Sequence, residues 1–376
     1  MSEGFSLKDH LFNAETTAQL GHEFAQAVPG FDRKKFERAA LDGFPGRELM
    51  ARLEWLADCI ETQLPGDFDE MADLLEAAMP PPLSPDLTDD DFGHFIHAVP
   101  GILAVRHGLK NHRDRALALI YAATQRFSME FYIRAFLNEW PDETLAALRE
   151  WARDENYHVR RLVSEGTRPK LPWARAIRLT PDQAFPLLDQ LHADPARYVT
   201  RSVANHLNDL SKITPDSVVE RLAHWRRLKE QGAKELDWMT RHALRSLVKS
   251  GHAGALSLLG FRTDIAFQVA LELPAQPVVI GQTLDFSASI RAPVSVPALV
   301  DYRITFARPG GKTGKKVFKL KQGKCGPDSP LLLAKSHKLK AAATTFTWHP
   351  GRHSLTLQVN GIDCAHAEFD VVKGAD

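Results

Sequence analysis

The chain has 376 residues, 44% of them hydrophobic and 25% charged, which is ordinary for a globular protein and long enough for two domains with separate cores. No apolar run approaches the length of a membrane span, which argues against a membrane protein. The formal net charge of zero hides an asymmetry: residues 1–92 carry 7 basic and 20 acidic side chains, residues 266–376 carry 14 and 8, and residues 93–265 therefore hold a net +7. The middle and the C-terminal part are the candidate faces for an anionic partner, and the acidic start is not.

Three cysteines (Cys59, Cys325, Cys364) have neither the spacing of a zinc site nor that of a disulfide framework. The opening Met1-Ser2-Glu3-Gly4 has no basic leader and no apolar stretch, so a secretory signal is not expected and a reducing, cytoplasmic setting is. Residues 1 to about 80 read as short amphipathic helices, two of them opened by Asp32-Arg33-Lys34-Lys35-Phe36 and Gly46-Arg47-Glu48-Leu49. Met79-Pro80-Pro81-Pro82-Leu83-Ser84-Pro85 is a stiff connection, after which Leu87-Thr88-Asp89-Asp90-Asp91 is expected to cap a further helix and to supply its negative first turn.

Helical periodicity continues to about residue 260 with a faint internal repeat. Tyr157-x-x-Arg160, Tyr198-x-x-Arg201 and Trp238-x-x-Arg241 fall 41 and 40 residues apart, and Thr180-Pro181-Asp182 and Thr214-Pro215-Asp216 are matching helix starts. A period near 40 with two helices per unit predicts a HEAT-type solenoid, in which the aromatic packs inward and the arginine one turn later can face the concave side. After about residue 262 the alternation changes to period two, in 265–271, 284–290, 302–306 and 353–359, with Gly- and Pro-rich turns between. About seven short strands in roughly 110 residues predict an immunoglobulin-like sandwich without the inter-sheet cysteine pair. The fold class is thus mostly α, a HEAT-like α-solenoid over 1–262 followed by a small all-β immunoglobulin-like sandwich over 263–376.

The chemistry concentrates at one helix-to-turn junction. Asp154 through Trp173 places Arg160, Arg161, Arg168 and Lys170 beside Glu165 and Trp173, with Gly166, Pro169 and Pro172 making the corner stiff. Such a mixture suits a polyanion that carries a local positive charge, as alkylated DNA does. Glu165 also shares a helix face with Arg161, where an i,i+4 pair explains it without function, and Trp173 by composition is more often a core plug than a stacking platform. Glu130, a lone acid in Phe127-Ser128-Met129-Glu130-Phe131-Tyr132-Ile133-Arg134, must pair, with Arg134 one turn on, or face a cleft. Asp209 sits in a polar helix end with Lys212 close by. The pairs His94/His97 and His107/His112 lack a carboxylate at metal spacing, and Gly310-Gly311-Lys312-Thr313-Gly314-Lys315 lacks P-loop spacing and lies between predicted strands, so it reads as a basic hairpin.

Three segments in order, Glu155 to Leu162 with Pro172-Trp173, Arg201 to Lys212, and Arg241 to His252, resemble the AlkC branch of the AlkC/AlkD HEAT-like DNA glycosylases. The resemblance covers about residues 90–260, and residues 266–376 are similar to the immunoglobulin-like domain that some AlkC proteins carry. It implies hydrolysis of the N-glycosidic bond of cationic 3-methyladenine and 3-methylcytosine in duplex DNA without base flipping, for base excision repair. The sequence indeed contains no motif for a base-sized aromatic cage. A cationic base leaves readily, and a carboxylate near C1′ stabilises the oxocarbenium-like charge and orients water.

On this reading Glu130 and Glu165 supply electrostatics and position water, Trp173 lies against the lesion nucleotide, and Asp209 is a further candidate. Arg160, Arg161, Arg168, Lys170, Arg201, Lys212 and Arg241 hold phosphates, and Lys312, Lys315, Lys316 and Lys319 grip the duplex from the β-domain. Neither metal nor cofactor is expected; the partner is double-stranded DNA with alkylated bases, bound by a monomer that is nucleoid-associated while on DNA. A non-catalytic HEAT-repeat scaffold and a protein that binds damaged DNA without cutting it stay open as alternatives.

Overall fold

The computed structural model describes residues 6–89, 91–341 and 347–374; Met1-Ser2-Glu3-Gly4 and Asp90, named above, lie outside them. Among the described residues sixteen α-helices come first: α1 (Leu7–Leu11), α2 (Ala14–Ala27), α3 (Arg33–Gly43), α4 (Leu49–Glu61), α5 (Phe68–Ala77), α6 (Val99–Leu103), α7 (Arg113–Thr124), α8 (Ile133–Glu139), α9 (Pro141–Trp151), α10 (Tyr157–Gly166), α11 (Pro181–Leu191), α12 (Arg197–Leu210), α13 (Pro215–Leu228), α14 (Ala233–Ala243), α15 (Arg245–Ser250) and α16 (Ala253–Leu258). The strands are β1 (Gln268–Glu272), β2 (Val278–Val279), β3 (Thr283–Arg291), β4 (Val296–Ala307), β5 (Thr313–Cys325), β6 (Leu331–Lys338), β7 (Gly351–Val359) and β8 (Ile362–Val372). None of the described helices is long and apolar enough to cross a membrane. The chain divides into two compact units, Met1–Thr214 with Trp225–Ala243, and Pro215–His224 with Leu244–Asp376.

The first unit is a stack of HEAT-like helical repeats. Helices α10, α12 and α14 lie side by side, tied by hydrogen bonds between residues 35 to 42 positions apart, close to the period read from the sequence. His206 Nδ1 meets the Ser164 carbonyl at 3.0 Å, Thr200 Oγ1 donates to Glu235 at 2.6 Å, and His242 Nε2 meets Asn205 Oδ1 at 2.8 Å. Tyr157 and Tyr198 of the repeated aromatic–arginine pairs are buried edge to face, centroids 6.1 Å apart. Trp238 is only half-buried; it stacks on His242 and lies under the Arg197 guanidinium. The three arginines each find an aspartate: Arg160 takes Asp194, Arg201 takes Asp89 and Arg241 takes Asp237. Of the two matching helix starts, Thr180 closes a capping box with Gln183, whereas the Thr214 side chain does not cap its helix's amides.

The acidic run after the proline connection does not begin a helix among its described residues. The chain instead runs irregularly to a 3-10 turn at Phe95–Ala98, because both of its polar functions are used elsewhere. The Thr88 carbonyl accepts from the Tyr198 amide at 2.9 Å, which satisfies an orphan donor of α12, whose N-cap Ala196 has no side chain to offer. Asp89 is held by Arg201. Helices α1–α5, from the acidic start of the chain, belong to the same compact unit. Their carboxylates meet the basic residues of 106–115: Arg106 binds Glu54, Asp58 and Glu61, and Arg115 binds Asp73 and Glu76. The histidines are likewise satisfied, His97 by Glu23, His107 by Glu61 and His112 by Asp69.

The second unit is an immunoglobulin-like sandwich. A three-stranded sheet ordered β1-β3-β6 faces a five-stranded sheet ordered β2-β8-β7-β4-β5, and the alternating residues Leu284, Phe286 and Ile290 of one meet Tyr302, Ile304, Leu355 and Leu357 of the other in the core. The Gly310–Lys315 segment joins the antiparallel strands β4 and β5, as the hairpin reading expects. Helices α15 and α16 belong with the strands. Asn360 Nδ2 donates to the Arg262 carbonyl at 2.8 Å, and two glycines at positive φ, Gly251 and Gly361, meet backbone to backbone.

A Cβ added at Gly361 would lie 2.6 Å from Gly251 Cα. Gly361→Ala is expected to destabilise the second unit by about 1–3 kcal/mol in thermal unfolding, through strain and overpacking together. Gly281→Ala, at φ +95 with nothing within 4 Å of the added carbon, reports strain alone and is expected to cost less.

Candidate functional site

Five charges form a row across four segments of the helical unit. Glu130, in the turn before α8, accepts from Arg161 of α10, and Arg161 Nη2 lies 3.6 Å from Glu165 Oε2. Glu165 Oε1 accepts from Arg168 Nη1 at 2.6 Å, and Arg168 Nη2 reaches Asp209 Oδ2 of α12 at 2.8 Å. Lys212 closes the row against Asp209 Oδ1 at 3.3 Å. Hydroxyls complete it: Ser128 Oγ donates to Glu130 at 2.8 Å and Ser202 Oγ to Glu165 at 2.6 Å. The Arg161 guanidinium also lies 4.7 Å from the Tyr198 ring centroid, a cation–π contact.

The order is acid, base, acid, base, acid, and every member but Lys212 is largely or wholly buried. Two guanidinium groups face three carboxylates, so the row has a surplus negative charge before the half-exposed Lys212 is counted. Both oxygens of Glu165 are engaged. Burial alone would raise its pKa, but Arg161 and Arg168, with the Ser202 hydroxyl, outweigh burial and hold it below its ordinary value; the same carboxylates raise Arg161 and Arg168. Glu130 differs. Its bonds use Oε2, and Oε1 takes part in no hydrogen bond or ion pair among the described residues. The two nearby histidines are neutral, since burial brings His158 and His206 down to about 4.

Arg134 does not pair with Glu130, as the sequence allowed. Its guanidinium is fully buried and donates to three carbonyls, those of Gly166 at 3.0 Å, Arg168 at 2.7 Å and Arg175 at 2.6 Å. Glu130 is instead taken by Arg161 of α10. Burial lowers Arg134 to about 10, still charged at neutral pH. One side chain of α8 thus pins both ends of the 166–175 loop. Gly166 serves that packing too, since a Cβ there would lie 2.5 Å from Ile133 Cγ2.

Trp173, at the tip of this loop, is no core plug: it is 71% exposed, with a left-handed backbone at φ +62, a conformation that costs a bulky residue about 1–3 kcal/mol. The structure therefore brings Glu130, Glu165, Asp209, Arg161, Arg168 and Lys212 together, and Trp173 is carried on the clamped loop that follows α10. Arg160 is turned onto Asp194 in a two-pronged pair, and Arg201 onto Asp89. Lys170 and Arg241 are exposed. Lys312 is exposed in the β4–β5 turn, and Lys315, Lys316 and Lys319 lie on β5, the edge strand of the larger sheet, with Lys316 over Phe318. Lysines at such an edge also prevent another strand from pairing there. Sequence reasoning missed Ser128, Ser202 and the carbonyl clamp of Arg134, whose partners lie 32 to 41 residues away.

Because the folded-state pKa of Glu165 lies below the ordinary 4.5, its ionised form stabilises the fold above that pH, and the contribution is lost as pH falls through the folded value. Glu165→Gln is expected to lose about 3 kcal/mol in urea unfolding at neutral pH, because two buried arginines lose their shared counter-charge. The difference from wild type is expected to shrink as pH falls below 4.5 and through the lowered folded-state value of Glu165; a gap that does not change with pH would locate the loss in packing.

Comparison with known proteins fits this geometry. The family model described as the YhaZ C-terminal Ig-like domain matches residues 268–373. The protein YhaZ of Bacillus subtilis (strain 168) is 30% identical over 362 residues, 93% of this chain and 95% of that protein. The solved structure of Pseudomonas fluorescens alkylpurine DNA glycosylase AlkC, bound to DNA containing an abasic site analog, superposes with a TM-score of 0.82 at 31% identity, covering 98% of this chain and 100% of that one. With helical repeats, an immunoglobulin-like domain and near-complete coverage by these relatives, the chain belongs to the AlkC branch of the AlkC/AlkD HEAT-like DNA alkylation repair glycosylases.

Proposed function

We propose that this protein is an alkylpurine DNA glycosylase that hydrolyses the N-glycosidic bond of cationic N-methylated bases, 3-methyladenine and 3-methylcytosine, in duplex DNA, leaving the lesion base stacked during the reaction. The observation that carries this reading is the buried row with one carboxylate more than it has guanidinium groups, beside an exposed indole. A leaving group that is already cationic needs no general acid. The barrier lies in the positive charge growing on the sugar, and a fixed negative surplus in a poorly hydrated site lowers it.

The two glutamates then divide the work. Glu165, with both oxygens bound, acts as fixed charge. Glu130 has Oε1 to spare and holds the attacking water. Asp209 sets Arg168, and Trp173 lies against the lesion nucleotide. Arg160, Arg161, Arg168 and Arg201 spend their guanidinium groups inside the protein, so they reach phosphates only through their outward edges. Lys170, Lys212 and Arg241, with Lys312, Lys315, Lys316 and Lys319, take most of that role. In this reading residues 1–262 bind and cut, and 263–376 add grip.

Release of free base from methylated duplex DNA tests the reading. Wild type is expected to release 3-methyladenine. Glu130→Gln and Glu165→Gln are each expected to slow release by about a hundredfold or more, with DNA binding retained. Absence of release by wild type at low salt would leave a DNA-binding protein or a scaffold. Since Glu165 is held ionised, the single-turnover rate is expected to stay level from about pH 6 to 9. Each phosphate neutralised is expected to add roughly 0.9 to the log–log salt slope, so removing Lys170 or Lys212 lowers it by about one.

A further inference from the structure

Each of the two glutamates in the row takes one serine hydroxyl, and the two serines are placed in opposite ways. Ser202 Oγ donates to Glu165 Oε2 at 2.6 Å while Arg168 holds Oε1 at 2.6 Å, so the two donors divide the carboxylate and close it. Ser128 does the reverse. Its Oγ donates at 2.8 Å to Glu130 Oε2, the oxygen that Arg161 Nη1 already holds, and the same Nη1 donates to Ser128 Oγ at 2.7 Å. The direction of these bonds is fixed. A guanidinium has no acceptor, so Arg161 must donate to the Ser128 oxygen, and the one hydroxyl proton is left for Glu130. Arginine, serine and carboxylate thus form a closed ring in which the cation polarises the hydroxyl and strengthens its bond to Oε2. The turn between α7 and α8 that carries Ser128 is itself tied down, since the amide of the fully buried Met129 donates to the Thr124 hydroxyl at 3.3 Å.

We propose that Ser128 is a positioning residue of the reaction, which fixes the Glu130 carboxylate so that Oε1 is the oxygen offered to the attacking water. The proposal rests on the glycosylase reading and deepens it. In that reaction the water oxygen bonds to C1′ as the C1′–N electron pair leaves with the cationic base, which becomes neutral, and the water's proton passes to Oε1. An arginine alone tends to hold a carboxylate through both oxygens, because its planar fork matches the pair. Arg161 also has a donor to spare, since its buried Nε meets no acceptor among the described residues. Without the Ser128 proton nothing would keep the Glu130 carboxylate from turning its second oxygen onto the guanidinium, and that oxygen would be lost to the water. Two donors on Oε2 prevent the turn. The same pair of residue types therefore makes Glu165 a closed charge and leaves Glu130 half open, through nothing more than which oxygen the serine meets.

The test uses the full chain and two readouts. Single-turnover release of 3-methyladenine from methylated duplex DNA measures the chemical step, and the dissociation constant for a duplex whose lesion sugar carries a 2′-fluoro group, and so resists hydrolysis, measures binding. Ser128→Ala is expected to slow release about tenfold or more, with the dissociation constant unchanged within about twofold. Ser128→Thr keeps the hydroxyl and is expected to stay within about threefold of the wild-type rate. Ser128→Cys keeps the size but donates weakly, so it is expected to fall with Ser128→Ala; this contrast with Ser128→Thr stands even where Ser128→Ala fails to fold. In the Glu130→Gln background Ser128→Ala is expected to add no more than about twofold, because it acts through that carboxylate. Equal rates for wild type and Ser128→Ala, or a cysteine variant as fast as the threonine variant, would overturn the assignment while base release by wild type keeps the glycosylase reading intact. So would a loss carried by binding, or an undiminished further loss in the Glu130→Gln background. Absence of release by wild type at low salt would overturn both.

Discussion

Buried charge tolerates no unpaired member, and that constraint organises the helical unit. A carboxylate as enclosed as Glu165 is stable only if cations and donors close around it. They arrive from its own helix (Arg161), from the loop that follows (Arg168) and from the next repeat (Ser202). Arg161 and Arg168 in turn need second carboxylates, which fixes Glu130 on one side and Asp209 on the other. The turn before α8, helix α10 and helix α12 are thereby locked in register by electrostatics as well as by packing. Replacing any inner charge leaves two neighbours short of a partner, so such a row resists gradual change.

Arg134 extends the same logic to the backbone. A guanidinium buried against carbonyls rather than carboxylates loses more to desolvation than it recovers from charge, which is why its pKa falls while those of Arg161 and Arg168 rise. In return it satisfies three carbonyls of a loop that has no regular structure to satisfy them. That loop holds Trp173 at a positive φ, with the indole turned outward. Strain at an exposed aromatic persists only where the surroundings over-determine it, and here the clamp does so.

Much of this was legible in the sequence. Period-two alternation after residue 262 and the 40-residue spacing of aromatic–arginine pairs are direct consequences of strand and repeat geometry, and they carried the architecture. Glu165 and Trp173 stood out because glycine and prolines framed them. What stayed hidden depends on distance along the chain. Nothing local tells that Arg134 prefers carbonyls 32 to 41 residues away over Glu130 one turn back, or that Asp89 is taken by Arg201, 112 residues on. The expected helix start at Leu87–Asp91 failed for that reason: local capping chemistry was outbid by the orphan amide of Tyr198 and by Arg201.

On the proposed function the protein holds a polyanion and stabilises a cation, two opposite electrostatic demands that the row would reconcile through range. Seen from a phosphate about a Debye length away, alternating charges nearly cancel, and the exposed Lys170 and Lys212 dominate the field. Seen from a sugar carbon placed against Glu130, as that reading requires, the nearest charge is Oε1, which has no hydrogen bond or ion pair among the described residues, and the surplus would be felt undiluted, because the surrounding medium screens poorly. Isolated acids would repel the duplex, and isolated arginines would hold it without helping the bond to break. Interleaving the two, with the acids one ahead, is an arrangement that serves both demands from a single buried line of side chains.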